Sequence, residues 1–370
     1  MKLHLAAGDP APRFIQRTLS NPRYVFDVAA GRYMVLYFFG STASPNVTQA
    51  LEKIRSRPAV FNGSKVAFFG VTVDPKDETH QGIADQKPGI KFFLDFDLSV
   101  SKLYGAVSAD AQQGGVGVTY RQVCVVLDPT MRVRATFVPG KEGSGIDELI
   151  AYLETLPPVE RSSGLEMHAP VIVLPDVFET DLCHELINLY ERHGGQESGF
   201  MREINGKTVL VSDHNHKRRR DHTIEDDALM AELRGRFIRR IIPEIKKVHQ
   251  FEATRMERYI VSCYDADEEA HFKPHRDNTT KGTAHRRFAV SVNLNNDFDG
   301  GEVSFPEYGN RTYKAPPGGA VVFSCSLLHA VSKVTRGRRY AFLPFLYDEA
   351  AAKVREENSA NIEDGANATA

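Results

Sequence analysis

The chain contains no tryptophan and only four cysteines in 370 residues. Cys124, Cys183, Cys263 and Cys325 form no CxxC pair and no zinc-finger spacing. A disulfide framework, a structural zinc and a dithiol redox motif are therefore poor descriptions of it. Each cysteine sits among apolar residues, as a buried thiol does in a reducing compartment. No window approaches the roughly 20 apolar residues of a membrane span, and residues 1–14 lack the apolar stretch of a secretory signal. An excess of one charge is missing too, since 46 Lys and Arg against 48 Asp and Glu leave a formal net charge of −2. The whole-molecule field gives no reason to seek nucleic acid or an anionic membrane. These absences predict a cytoplasmic protein with neither nucleic acid nor membrane as a partner.

What is present suits two globular domains, each long enough to bury its own core. From residue 33 to 156 short apolar runs alternate with amphipathic stretches. Strands are expected at 33–39, 66–73, 90–94, 122–127 and 133–138. Helices are expected through Val47, Ala50, Leu51 and Ile54, around 77–86, and through Ile146, Leu149, Ile150, Leu153 and Leu156. That order predicts a thioredoxin-like α/β domain over residues 1–160. Residues 157–170, rich in proline and without either period, read as a linker. A second domain over 165–348 opens with a strand at 171–174 and helices at 180–193 and 226–248, the latter kinked at Pro243. Beyond Arg258 strands dominate. Phe288, Val290, Val292 and Leu294 alternate with Ala289, Ser291 and Asn293, and further strands at 320–324 and 340–346 suggest a jelly roll, a double-stranded β-helix with flanking helices. Residues 349–370, rich in Ala, Glu and Asn and poor in large apolar groups, read as a flexible tail, a frayed helix followed by disorder.

The sharpest local feature is His275-Arg276-Asp277, which places an imidazole and a carboxylate on one side of an extended backbone. A second imidazole, His329, lies 54 residues on, at the end of an apolar run. Two histidines and one carboxylate on one face of an octahedral Fe(II) leave three positions open, two for a bidentate 2-oxo acid and one for O2. Arg339, after a turn near Gly337, offers a planar fork for a distal carboxylate. Arg338 takes that place instead if the strand register slips by one.

Residues from about 170 to 347 resemble the prolyl 4-hydroxylase branch of the Fe(II)/2-oxoglutarate dioxygenases. The matching elements arrive in order: Tyr264-Asp265-Ala266-Asp267, Phe272 to Asp277, Asn293 with Leu294, Asp299-Gly300-Gly301-Glu302, Pro317-Gly318-Gly319-Ala320, and His329 through Gly337-Arg338-Arg339-Tyr340. The resemblance implies iron bound by His275, Asp277 and His329, Arg339 paired with the C5 carboxylate of 2-oxoglutarate, and Tyr264 donating a hydrogen bond to the same co-substrate. It also implies ascorbate as a reductant and a hydroxylated protein, peptide, amino acid or small molecule as product. A core tyrosine with a satisfied hydroxyl is the plainer reading of Tyr264. An O2- or 2-oxoglutarate-sensing protein with little turnover is the alternative function.

Gly8-Asp9-Pro10-Ala11-Pro12-Arg13-Phe14, with the strand at 33–39, resembles the opening of a peroxiredoxin. The Pro-x-x-x-Thr-x-x-Cys motif of that family corresponds here to Gly40, Ser44 and Val47. Valine cannot become a low-pKa thiolate, so thiol peroxidase activity is a remote alternative. Arg121, which corresponds to a thiolate-activating arginine, has nothing to activate. The first domain then reads as a silent scaffold, a partner-binding surface or a homodimerisation module. The basic run from His214 to Arg220 reads as a solvated loop bordering the site, with contact to an acidic substrate as its alternative.

Overall fold

The computed structural model describes residues 5–112, 119–140 and 144–362. These divide into two units, one ending at His168 but including Pro306–Asn310, the other comprising Ala169–Phe305 and the residues from Arg311 onward.

In the first unit a five-stranded sheet centres on Tyr33–Gly40, whose eight residues are all buried. It runs parallel to Val66–Thr72, which is parallel to Ile90–Leu94. On the other side lie the antiparallel strands Val123–Leu127 and Val133–Phe137. A strand covered on both faces has no polar alternation to show, which is why this one is a continuous apolar run. Tyr33, Val35, Tyr37 and Phe39 join one core cluster with the buried stripes of the helices Pro45–Arg55 and Ser144–Thr155. The thioredoxin-like expectation holds in this order of elements.

The helix expected around 77–86 does not form. Two short 3-10 turns, Pro75–Thr79 and Gln81–Ile83, occupy that stretch. The buried Asp77 carboxylate accepts from the backbone N–H of Thr42 at 3.1 Å and from the hydroxyls of Thr42 and Thr72. His80 Nδ1 accepts from Gly82 N–H at 3.0 Å. Side chains that hold the local backbone and the sheet edge in this way outcompete the i to i−4 ladder.

In the second unit the helices Thr180–His193, Asp227–Arg240 and Ile242–His249 pack Leu186, Leu233, Phe237, Ile241 and Ile245 against a large sheet. The helix break at Ile241 stands two residues before Pro243, whose ring and missing N–H disrupt the preceding turn. The large sheet contains Phe288–Asn293, Arg338–Phe342 and Ile260–Asp265 as successive neighbours. A smaller sheet has the order Lys217–Arg218, His271–His275, His329–Val331, Val303–Ser304, Thr312–Tyr313. Two sheets of this kind make the jelly roll. Along Phe288–Asn293 the pleat sends Phe288, Val290 and Val292 into the helix-facing core, while Ser291 and Asn293 accept hydrogen bonds from Arg339.

A hairpin, Phe200–Ile204 with Lys207–Val211, was not expected. Its turn, Asn205-Gly206, has φ of 51° and 79°, the pairing that suits a tight antiparallel connection. The tail opens with a helix, as its sequence suggested. Glu349–Glu357 is a helix capped by Asp348, whose carboxylate accepts from Ala351 N–H at 2.9 Å, and Ala351 is buried. Residues 363–370 of that predicted tail lie outside the described residues. Among the described residues no helix is long and apolar enough to cross a membrane.

Candidate metal centre

His275 and His329 face each other as register partners on adjacent antiparallel strands of the smaller sheet. Asp277 follows two residues after His275, and its backbone N–H donates to the Cys325 carbonyl at 3.0 Å, which fixes the turn out of the strand. His275 Nε2 lies 3.5 Å from one Asp277 oxygen and His329 Nε2 3.3 Å from the other. One ligand atom from each of the three falls within 4.8 Å of the other two, and among the described residues no other His, Cys, Asp or Glu group of this size could hold a metal ion.

Each imidazole is oriented from behind. Nδ1 of His275 lies 2.8 Å from the Lys273 carbonyl and Nδ1 of His329 3.0 Å from the Leu327 carbonyl. A carbonyl can only accept, so both Nδ1 atoms carry a proton, and Nε2 is the atom that each ring turns toward Asp277. The His275 ring stacks on Phe272, and His329 lies against Phe323 and Phe305. Burial, followed by the neighbouring His329, pushes the His275 imidazole down to about 4, which keeps it neutral. Burial alone would raise the Asp277 carboxyl, but His329 and His275 outweigh it and hold the group below the usual carboxylate range. Neutral imidazoles with an ionised carboxylate are the donor set of a divalent cation.

These three residues line a cavity of about 510 Å³, its open mouth included, together with Tyr264, Ser291 and Arg339. Arg339 is 2% exposed. It donates to Asn293 Oδ1 at 3.0 Å and Ser291 Oγ at 2.7 Å, and its guanidinium lies 5.3 Å from the centre of the Tyr264 ring. Among the described residues it has no ion-pair partner. Arg338 points out of the sheet to Asp265, 2.7 Å away. The unslipped register therefore places Arg339, not Arg338, in the cavity.

The run from His214 to Arg220 is not the solvated loop that its charge suggested. Lys217 and Arg219 are only 4% and 5% exposed. Lys217 donates to Ser198 Oγ and the Gly199 carbonyl. Arg219 donates to Asp221 at 2.6 Å and to the Tyr264 hydroxyl at 3.3 Å, and it lines the cavity with Arg258. Burial would raise Asp221, but Arg219, Lys217 and Arg258 hold its carboxyl well below the usual range. Burial alternates along 217–220, the period of a strand, but four consecutive basic residues show no such alternation in the sequence.

The corresponding place in the first unit carries no such chemistry. Val47 is fully buried in the core, Arg121 is exposed, and burial pushes the Cys124 thiol above its ordinary value.

Residues 244–347 match the 2OG-Fe(II) oxygenase superfamily, and residues 7–138 match the AhpC/TSA family. The first stretch contains all five residues singled out above for metal and co-substrate, but neither Lys217 nor Arg219. A PKHD-type hydroxylase of Synechococcus sp. (strain JA-2-3B'a(2-13)) is 33% identical over 89 residues, 22% of this chain and 39% of the relative. One from Cupriavidus metallidurans is 40% identical over 80 residues, 19% of this chain and 35% of the relative. The chain thus spans under two fifths of the length of these curated relatives. Among solved structures, peroxidoxin BcpB from Mycobacterium tuberculosis aligns at 16% identity with a TM-score of 0.36, covering 42% of this chain and 99% of that one. A yeast mitochondrial 1-Cys peroxiredoxin aligns at 18% with a TM-score of 0.38, covering 55% and 97%. The chain joins a segment similar to AhpC/TSA proteins to one similar to 2OG-Fe(II) oxygenases.

Proposed function

We propose that the chain is a non-haem Fe(II)- and 2-oxoglutarate-dependent dioxygenase that hydroxylates a protein, peptide, amino acid or small molecule. The overall change is substrate C–H plus O2 plus 2-oxoglutarate to substrate C–OH plus succinate plus CO2, so that one oxygen atom enters each organic product. The observation that carries this reading is the convergence of His275, Asp277 and His329 in a cavity whose wall holds a buried arginine without an acidic partner.

In this reading His275, Asp277 and His329 hold iron, which supplies the O2-activating chemistry when bound. The two backbone carbonyls keep the imidazoles aimed at one point. Arg339 binds the distal carboxylate of 2-oxoglutarate, and Ser291 and Asn293 hold the guanidinium in place for it. Tyr264, whose hydroxyl already accepts from Arg219, is left with its own proton to donate to the co-substrate. Phe272, Phe305 and Phe323 shield the centre from bulk water. Ascorbate would be the external reductant for iron held by these residues. The first unit supplies none of these groups and acts as scaffold or docking module.

The test is incubation with Fe(II), 2-oxoglutarate and 18O2. The reading expects labelled succinate from the native chain and none from His275→Ala or Asp277→Ala. Undiminished labelling in both variants contradicts it, while labelled succinate without label in any added substrate favours sensing over hydroxylation.

A further inference from the structure

The cavity holds more positive charge than the co-substrate can use. Arg219, Arg258 and Arg339 all line it. Asp277, the one lining carboxylate, is engaged by two imidazoles. Behind the wall Asp221 is shared between Arg219 at 2.6 Å and Arg258 at 3.3 Å. Three guanidiniums therefore meet one available carboxylate. Buried charge without a counter-ion is unfavourable by several kcal/mol unless something else pairs with it. The C5 carboxylate of 2-oxoglutarate on Arg339 neutralises one of the two left over. One remains.

The geometry identifies which. Arg219 is fully committed at both terminal nitrogens, to Tyr264 Oη at 3.3 Å and to Ser198 Oγ and Asp221 at 3.2 and 2.6 Å. The Nε of both Arg219 and Arg258 is buried without a partner, so the difference lies at the terminal nitrogens, where among the described residues Arg258 has only its 3.3 Å donation to Asp221. Its side chain is 13% exposed, in the cavity wall. Its backbone adopts φ +65°, the left-handed region that non-glycine residues enter at a cost, between the strands Arg255–Glu257 and Ile260–Asp265. Beside it stands an apolar surface of Leu343, Pro344 and Phe345, with the Phe345 ring 5.6 Å from the guanidinium. A fork-shaped donor next to apolar wall suits a ligand with a carboxylate head and a short hydrocarbon body.

We propose that Arg258 recognises a carboxylate of the primary substrate, so that the substrate is a small organic acid or free amino acid rather than a neutral peptide segment. Arg219 is a positioning residue that holds Asp221, and through it Arg258. The assignment rests on the oxygenase reading for the word substrate, but the carboxylate site itself is testable without turnover.

The experiment uses the full chain. Binding of the twenty free amino acids and a series of short carboxylic acids is compared by ligand-detected NMR with that of the corresponding primary amides, alongside a Mn(II) titration of the same samples. The proposal expects at least one acid to bind about tenfold or more tightly than its amide. Arg258→Gln should abolish that preference, Arg258→Lys should retain part of it, and Arg339→Gln should leave it in place. If every acid binds no better than its amide, or if Arg339→Gln rather than Arg258→Gln removes the preference, the proposal is overturned. Lys at 258 keeps the test decisive should the glutamine variant not fold. Absence of Mn(II) binding would sink the oxygenase reading separately, because the acid-over-amide comparison does not require the metal.

Discussion

The two units treat a buried functional position in opposite ways. In the first, Val47 stands where the resembling family carries its nucleophile, fully buried with Ala50, Leu51 and Ile54 in one helix stripe. In the second, His275, Asp277 and His329 are packed among Phe272, Phe305 and Phe323, but their donor atoms face one another and not the apolar wall. Packing can absorb a position only when its side chain makes no polar demand. Converging imidazoles and a carboxylate keep that demand, and a cation satisfies it. One unit thus closes the position with an apolar side chain, while the other gathers three side chains of the types that hold metal ions.

That contrast can be broken by mutation, and the largest effect is expected in the second unit. His275→Ala or Asp277→Ala should lower metal affinity more than the roughly 10- to 100-fold typical of groups behind the ligands, as read by titration with Fe(II) under anaerobic conditions. Next comes Arg339→Gln, which removes a charge-assisted pair of about 1.5–3 kcal/mol. It should raise the KM for 2-oxoglutarate by about 10- to 100-fold, while Arg338→Gln, on the outer face, should change it less than threefold by the weakness of surface pairs. Steady-state kinetics on the two neighbours distinguish the registers, and equal effects would contradict the assignment. The smallest effect belongs to the first unit. Val47→Cys should reduce no peroxide above the native rate, since a thiol in that apolar core is disfavoured as thiolate, and it should destabilise the fold by about 1 kcal/mol. Peroxide consumption by this variant would show that the first unit still supports a reactive thiolate at that position.

Much of the architecture was legible because burial follows period. The unbroken apolar run at 33–39, the alternation at 288–294 and the stripe through Leu233 and Phe237 each reflect which faces are covered. The candidate cluster was legible for a related reason: His275 and His329 lie at strand ends, and Asp277 lies in the turn two residues past His275. Arg219 and Lys217 were not, because a basic run looks solvated until Ser198 and Tyr264 from elsewhere in the chain, with neighbouring Asp221, receive its donors, and nothing beside Arg258 in the sequence marked it. The failed helix at 77–86 has the same origin, a carboxylate bonded to distant Thr42 and Thr72. The helix that opens the tail was legible in its alanine- and glutamate-rich composition, whereas the burial of Ala351 was not, because a small side chain carries little apolar signal. The Asn205-Gly206 turn, by contrast, was a local signal that could have been read.

The central claim is that one metal ion is held jointly by the two strands and the turn that carry His275, Asp277 and His329. Its most direct test is the stoichiometry of Fe(II) bound by the anaerobic native chain and by His329→Ala, measured by titration calorimetry with metal analysis of the dialysed protein. The account predicts about one ion per chain in the native protein and less than a tenth of one in the variant. Equal occupancy of the two proteins would mean that the metal, if bound, sits elsewhere, and would contradict it.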